Sequence, residues 1–189
     1  MEGAVEQRDE PGEARRPLIK EGFIERASRV ISVLGARTDM EIESPPTREA
    51  WGDLEVDPEV ASAYSAFGGK TIEQAMPLFL ENPLERSAEL RFAPAAVFNY
   101  YIFCFVKILL SPRAAGEADM ASCFLRLIRD RMSAQPDQIE VVWDQLQPLL
   151  GAIAERQAFY DAAMDIYGSF AELRSEIETL HVQGHRGGA

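Results

Sequence analysis

The sequence predicts an all-α protein, a single irregular bundle of about six to eight helices. Three observations support this fold class. Apolar residues recur at helical spacing in several segments, the alternation typical of strands is nearly absent, and one segment is apolar on every side. Because a helix without a polar face must be covered all round, this segment, about 94–110, is predicted to be the buried central helix.

The predicted central helix carries only two strongly polar side chains, Asn99 and Lys107. Pro94 suits its first position, and the Ser-Pro pair after it ends the helix. Its apolar run of about 17 residues is at the short limit for a membrane span. Lys107 would cost about 2.5–3.5 kcal/mol at the centre of a bilayer. We therefore expect a core helix of a bundle and no membrane span.

The N-terminal part begins with residues 1–17, which contain too few apolar side chains to fold and are expected to be a disordered tail. A single helical domain is predicted over 18–180. It opens with an amphipathic helix over 18–34, whose apolar residues fall close to one face. An irregular acidic loop over 36–56 follows.

The next elements are predicted from local start and stop signals. Asp57 and Pro58 form a helix start, with the aspartate as N-cap and the proline at the first position. Thr71 and Gln74 have the capping-box spacing and open another short helix. Two prolines follow, so residues 78–90 are predicted to form irregular turns that supply core contacts.

Apolar stripes predict four more helices in the C-terminal half, over 117–132, 138–147, 149–167 and 170–180. Pro148 either kinks the second of these or begins the third. The glycine-rich residues 181–189 are expected to be a second disordered tail.

The composition excludes several classes of function. The chain has 31 acidic and 19 basic residues, a net charge of −12 and a pI near 4.7. Such a charge argues against a general nucleic-acid binder and against binding to an anionic membrane surface. The two cysteines, Cys104 and Cys123, lie in apolar helical patterns and suggest neither a disulfide framework nor a zinc site. Without a secretion-signal pattern, the expected compartment is the reducing cytoplasm.

Motifs of catalysis are missing from the sequence. There is no P-loop, dinucleotide fingerprint, nucleophile elbow or zinc-protease motif. His181 and His185 have the spacing of a ligand pair, but a glycine lies between them and no cysteine or carboxylate cluster adjoins. We predict no metal, no cofactor and no catalytic residue. An enzyme that uses carboxylates tuned by burial is the least favoured alternative.

The acidic loop is the most suggestive feature of the surface. Between 39 and 59 the chain has eight acids and a single basic residue, Arg48, a local net charge of −7. Trp51 and Leu54 are predicted to anchor this loop on the bundle. The sequence therefore predicts a non-enzymatic protein that binds a basic protein partner, for example as a toxin-neutralising immunity-type inhibitor. The predicted partner-binding residues are Glu41, Glu43, Glu49, Asp53, Glu55 and Asp57.

Other interpretations of these features stay open. The acidic loop could serve only to keep the protein soluble. Asn99, Tyr100 and Tyr101 could line a pocket for a small apolar ligand, which would make the protein a helical carrier or sensor, or they could be satisfied polar groups of the core. An exposed Trp143 or Phe159 would be equally compatible with a homodimer.

Residues 92–101 resemble a Pro-x-x-x-Phe-x-Tyr-Tyr segment of small helical bacterial proteins, some of them encoded near toxin systems. The match covers about ten residues of ordinary core types. No functional residue follows from it.

Overall fold

The structure, a computed structural model, describes residues 44–186, with side chains described as far as 184. These residues form an all-α helical bundle without strands, which confirms the predicted fold class. The predicted helix over 18–34, the predicted tail over 1–17, and the acids Glu41 and Glu43 lie outside the described residues.

Eight α-helices occur in the described part of the chain: α1 (Pro58–Phe67), α2 (Ile72–Glu81), α3 (Pro83–Phe92), α4 (Ala95–Leu109), α5 (Ala118–Ala134), α6 (Pro136–Ala154), α7 (Met164–Tyr167) and α8 (Phe170–Arg186). Two short 3-10 helices lie at Arg48–Trp51 and Pro112–Ala114. The predicted helix starts at Asp57 and Thr71 are confirmed, because both side chains accept hydrogen bonds from backbone N–H groups of the first turn.

The apolar segment forms α4, which is buried along most of its length and packs against α2, α3, α5 and α6. Lys107 is its exposed residue near the C-terminal end, and its Nζ lies 2.7 Å from Glu73 Oε1. Over residues 44–186, we find no helix with both the length and the apolar character needed to cross a bilayer.

Two buried arginines donate hydrogen bonds to backbone carbonyls, one to the chain just before α4 and the other to the last residue of α4. At the N-terminal end, Arg131 of α5 donates to the carbonyl oxygens of Arg91 and Ala93 at 2.9 and 2.8 Å. At the C-terminal end, Arg156 donates to the carbonyl oxygen of Leu109 at 2.8 Å. Hydrogen bonds to charged donors are stronger than neutral ones, so both contacts add to the hold on this helix.

The prediction of irregular turns over 78–90 is wrong. Helix α2 continues through Pro77, which lies on its exposed side, and the Asn82 side chain caps α3 by accepting a hydrogen bond from Glu85 N–H at 3.1 Å. Pro83 then takes the first helical position, where its missing N–H is harmless. Leu84, predicted to contact the core, is 63% exposed.

The prediction of one helix over 149–167 is also wrong. Helix α6 runs through Pro148 and ends at Ala154, and turns lead from there to the short α7. A positive φ of 56° at Asp161 is incompatible with a continuing helix. Ile166, predicted to face the core, is 72% exposed.

Helix α8 is longer than predicted, because it continues past Leu180 to Arg186. His181 stacks on the Trp143 ring of α6, with ring centroids 4.1 Å apart and an interplanar angle of 15°. Its Nε2 also lies 3.0 Å from Glu140 Oε2. These contacts dock the C-terminal part of α8 onto α6, and Trp143 is consequently almost fully buried.

Candidate functional site

The described part of the acidic loop presents five carboxylates, which we call the acidic strip: Glu49, Asp53, Glu55, Asp57 and Glu59. Four of them are exposed and Asp57 is half-buried. The predicted site residues Glu49, Asp53, Glu55 and Asp57 thus lie in one continuous segment, which runs from the first 3-10 helix to the start of α1.

Trp51 anchors the acidic strip in the core. Its indole is 1% exposed and packs edge-on against the Tyr64 ring at a centroid distance of 5.2 Å. Phe67 and Tyr101 lie 5.5 and 6.1 Å away. Leu54 also packs on the core. The predicted anchors are confirmed, and the burial of a tryptophan on this scale makes the strip part of the folded body.

Backbone contacts fix the first half of the strip. The Arg48 guanidinium donates to the carbonyl oxygen of Gly52 at 2.7 Å, and Gly52 has a left-handed φ of 73°. Asp53 accepts a hydrogen bond from Glu55 N–H at 2.9 Å. A hydrogen bond from its own backbone, and then one with the Thr47 side chain, hold the pKa of the Glu49 carboxyl below its usual value. Glu49 is therefore fully ionised at neutral pH.

The second half of the strip is fixed by helix capping. Asp57 accepts hydrogen bonds from the N–H groups of Glu59 and Val60 at 3.0 and 3.1 Å. Its negative charge also lies at the positive end of the α1 dipole. Asp57 therefore stabilises α1, while its neighbours Asp53, Glu55 and Glu59 extend into solvent.

The charge of the strip is not neutralised by the described residues. Residues 44–186 contain 21 acids and 12 basic residues, a net charge of −9 out of the chain total of −12. In this range the ion pairs join acids of other segments to arginine, lysine or histidine, and none includes a strip carboxylate. Arg48, the basic side chain within the segment, lies 5.4 Å from the Tyr64 ring and bonds a carbonyl.

The three residues predicted to line a ligand pocket point to different neighbours. Asn99 donates from Nδ2 to the carbonyl oxygen of Gln138 at 3.0 Å. The Tyr101 hydroxyl lies 2.6 and 2.8 Å from the carbonyl oxygens of Phe67 and Lys70, at the C-terminal end of α1. The Tyr100 ring packs edge-on against Tyr101. The two tyrosines lie together, and Asn99 is directed to α6.

Metal-ligand clusters and ionised thiols are absent from residues 44–186. No group of three or more histidine, cysteine or acidic side chains in this part of the chain is placed to hold a metal ion. Burial raises the pKa of the Cys123 thiol to about 11 and that of Cys104 still further. Both thiols are therefore protonated, which makes them poor nucleophiles.

Sequence reasoning missed one surface feature, the exposed side chains of Met164 and Ile166 in α7. Ile166 lies seven residues after Phe159, a spacing that imitates an inward-facing stripe, and this led to the prediction of a single helix there. The conformation that breaks the pattern is at Asp161, a residue type that tolerates a positive φ but does not signal one by itself.

Comparisons with known proteins do not assign the chain to a family. No family model, no curated protein and no solved structure matches the chain.

Proposed function

We propose that the protein is a non-enzymatic acidic binding protein that uses the acidic strip to engage a basic protein partner. The observation that carries this proposal is the fixed set of carboxylates between Glu49 and Glu59, none of which takes part in an ion pair within residues 44–186. A toxin-neutralising inhibitor of the immunity type would be one instance. We place it in the reducing cytoplasm, in keeping with the free thiols of Cys104 and Cys123.

The acidic strip combines a cluster of negative charges with a fixed conformation, and both properties support the proposal. Clustered charges of one sign raise the association rate of an oppositely charged partner and suppress wrong partners. Flexible segments lose conformational entropy on binding, whereas Trp51 and Asp57 already hold the strip in place before any partner arrives. Fixed carboxylates are therefore suited to fast and selective recognition of lysine- and arginine-rich surfaces.

The first experiment is a capture from host extract with the tagged protein as bait, eluted by increasing salt and analysed by mass spectrometry. The captured basic protein is then purified, and its association rate is measured with the wild type and with a strip variant. This variant carries Glu49→Gln, Asp53→Asn, Glu55→Gln and Asp57→Asn. Asparagine retains the capping ability of residue 57, so the fold is kept while four charges are removed.

The matched control removes the same number of charges from exposed acids elsewhere: Glu81→Gln, Asp144→Asn, Glu155→Gln and Glu176→Gln. We expect the strip variant to slow association by about tenfold or more and to reduce its salt dependence, with a much smaller change in the control. An equal decrease of the association rate in both variants would assign the effect to the overall charge of the protein. A partner that binds both variants as it binds the wild type would remove the proposal.

The carrier alternative rests on one observation. The buried Oδ1 of Asn99 has no hydrogen-bond partner within the described region. Against it, the hydroxyl of Tyr101 and the amide of Asn99 already bond to backbone carbonyls of the protein. Mass spectrometry of a denatured extract of the purified protein distinguishes a carrier from a binding protein without a ligand, because a carrier would release a bound apolar molecule.

A further inference from the structure

Helix α3 has an apolar surface on the side that faces away from the bundle. Leu84, Ala88 and Phe92 are all exposed, Leu84 by 63% and Phe92 by 49%. They are spaced four residues apart on one ten-residue helix, and each residue turns the helix by about 100°, so the three side chains fall within about 80° of one another. We call them the α3 face. Three apolar side chains on one side of a helix form a continuous surface, which favours a role in binding.

The opposite side of α3 is fixed in the bundle. Its buried residues, Arg86, Ser87, Glu89 and Leu90, have a mean direction about 180° from that of Ala88. The helix packs there against α1 and α5 and also contacts α2 and α4. The fold therefore holds the α3 face outward, and the helix cannot turn it into the core without exposing its buried side.

Two side chains of opposite charge border the α3 face, one along each edge. Glu85 lies about 60° to one side of Ala88 and Arg91 about 60° to the other. Their side chains are 55% and 46% exposed. Glu85 Oε2 lies 2.8 Å from Arg86 Nη2, and Arg91 Nη2 lies 2.7 Å from Asp130 Oδ2. Because a carboxylate has two oxygens and a guanidinium has five N–H donors, both groups can contact a further partner.

The five side chains of the face and its edges are arranged symmetrically about Ala88. Leu84 and Phe92 lie four residues before and after it, and Glu85 and Arg91 lie three residues before and after it. A second α3, placed antiparallel with a twofold axis at Ala88, brings Leu84 of each copy to Phe92 of the other and Glu85 to Arg91. Each contact then occurs twice, as in an isologous interface. The small side chain on the axis lets the two helices approach closely.

We propose that the protein forms a homodimer in which the α3 faces of two copies pack together in this antiparallel orientation. Two apolar pairs form the centre of the contact and two ion pairs form its edges. One short helix from each copy buries less than the about 1,200–2,000 Å² of a standard interface, so the dimer is weak and depends on concentration. We expect a Kd of about 0.01–1 mM. The proposal does not depend on the role of the acidic strip.

The charges at the edges favour a second copy over other occupants of the α3 face. A partner segment with charges of one sign would be attracted along one edge and repelled along the other. An anionic lipid surface would repel Glu85 and its exposed neighbour Glu81. A second copy matches both edges at once. The net charge of −12 on each copy opposes association at low salt, and this repulsion is screened at 0.15 M, where the Debye length is about 8 Å.

The test is sedimentation equilibrium of the full chain over a series of concentrations at about 0.15 M salt. We expect the average mass to rise from 21.1 kDa toward twice that value. Leu84→Ser with Phe92→Ser should weaken the dimer by about tenfold or more, because it removes both large apolar side chains from each α3 face. The matched control, Val141→Ser with Val182→Ser, changes exposed positions on α6 and α8 and should alter the Kd by less than about twofold.

Exchange of the edge charges tests the antiparallel orientation. Glu85→Arg alone places two arginines at each edge of the dimer, and Arg91→Glu alone places two glutamates there, so each protein should remain a monomer at concentrations where the wild type dimerises. An equal mixture of the two proteins pairs arginine with glutamate at both edges and should restore the dimer mass. Circular dichroism shows that each variant is folded, and a loss of stability in either variant could not produce this restoration.

Three results would overturn the proposal. The first is a wild type that stays a monomer up to about 1 mM. The second is a dimer that the Leu84→Ser, Phe92→Ser protein forms with unchanged affinity, which would place the interface elsewhere. The third is a mixture of the charge variants that stays monomeric. In a monomeric wild type, NMR contacts of the Leu84 methyl groups with residues 18–34 would assign the α3 face to the N-terminal segment, and contacts with neutral lipid vesicles would assign it to a membrane.

Discussion

Two effects act in opposite directions on the pKa of the Glu89 carboxyl in α3. Its Oε2 lies 2.7 Å from Arg86 Nη1, and both side chains are less than a tenth exposed. Burial raises the pKa of the Glu89 carboxyl, against the opposing attraction of Arg86. The loss of hydration thus outweighs the ion pair, as is common for buried charges.

The raised pKa of Glu89 predicts a pH dependence of stability. A folded pKa above the unfolded value means that the folded state binds the proton more tightly, so this contribution to stability is lost as pH rises through the folded pKa. Glu89→Gln removes it. We expect urea unfolding to show the wild type losing free energy of unfolding relative to Glu89→Gln as the pH rises above the usual glutamate pKa of about 4.5. The opposite trend would mean that the Arg86 pair outweighs burial.

At the scale of elements, Gln157 joins the end of α7 to the start of α8. Its Oε1 accepts from Phe170 N–H at 2.9 Å, and its Nε2 donates to the carbonyl oxygens of Ala162 and Gly168 at 2.9 and 2.7 Å. The side chain therefore satisfies three backbone groups in a segment with little regular structure of its own. Helix α7 has only four residues and cannot be stable without such contacts.

Replacing Gln157 with alanine should lower the free energy of unfolding by about 1–3 kcal/mol, because it leaves backbone groups without partners. It should also accelerate amide hydrogen exchange over residues 162–168. Gln147→Ala is the matched control, since Gln147 is exposed on α6 and should change stability by less than about 0.5 kcal/mol. A stability loss equal to that of the control would show that the three bonds add nothing.

Local signals predicted some elements well and tertiary contacts decided the others. Asp57 and Thr71 cap their helices as expected, because capping depends on neighbouring backbone groups alone. Pro77 and Pro148 were expected to interrupt helices, but both lie at exposed positions within α2 and α6, where packing on the opposite face maintains the helix.

In the candidate site, too, some features could be predicted from the sequence and others depend on tertiary contacts. The acids and the anchor Trp51 could be predicted from composition and residue type. The direction of Arg48 could not, because it depends on the Gly52 carbonyl and the Tyr64 ring, which come together only in the fold. In that direction Arg48 makes no ion pair with a carboxylate of the acidic strip, although its charge still lowers the pKa of Glu49.

On the scale of the whole molecule, a net charge of −9 over the described residues predicts a response to salt. Like charges repel in the compact state, and salt screens this repulsion because the Debye length falls from about 30 Å at 0.01 M to about 8 Å at 0.15 M. We expect the free energy of unfolding to rise with sodium chloride over this range, and to rise less in the strip variant. Exposed ion pairs such as Lys107–Glu73 oppose the trend by only about 0.2–1 kcal/mol each. A fall in stability would contradict it.

A helix that is apolar on all sides, such as α4, could slide or rotate in its surroundings at little cost, because the hydrophobic effect has no direction. Arg131 restricts this freedom by bonding the carbonyls of Arg91 and Ala93 just before the rod, and Arg156 does so by bonding the carbonyl of Leu109, its last residue. Burial of the apolar side chains makes α4 stable inside the bundle, and the bonds of these arginines, together with those of Asn99 and Tyr101 to neighbouring carbonyls, favour one register there. Tyr101, which contacts both Trp51 and the end of α1, then brings the acidic strip to one fixed position along that rod.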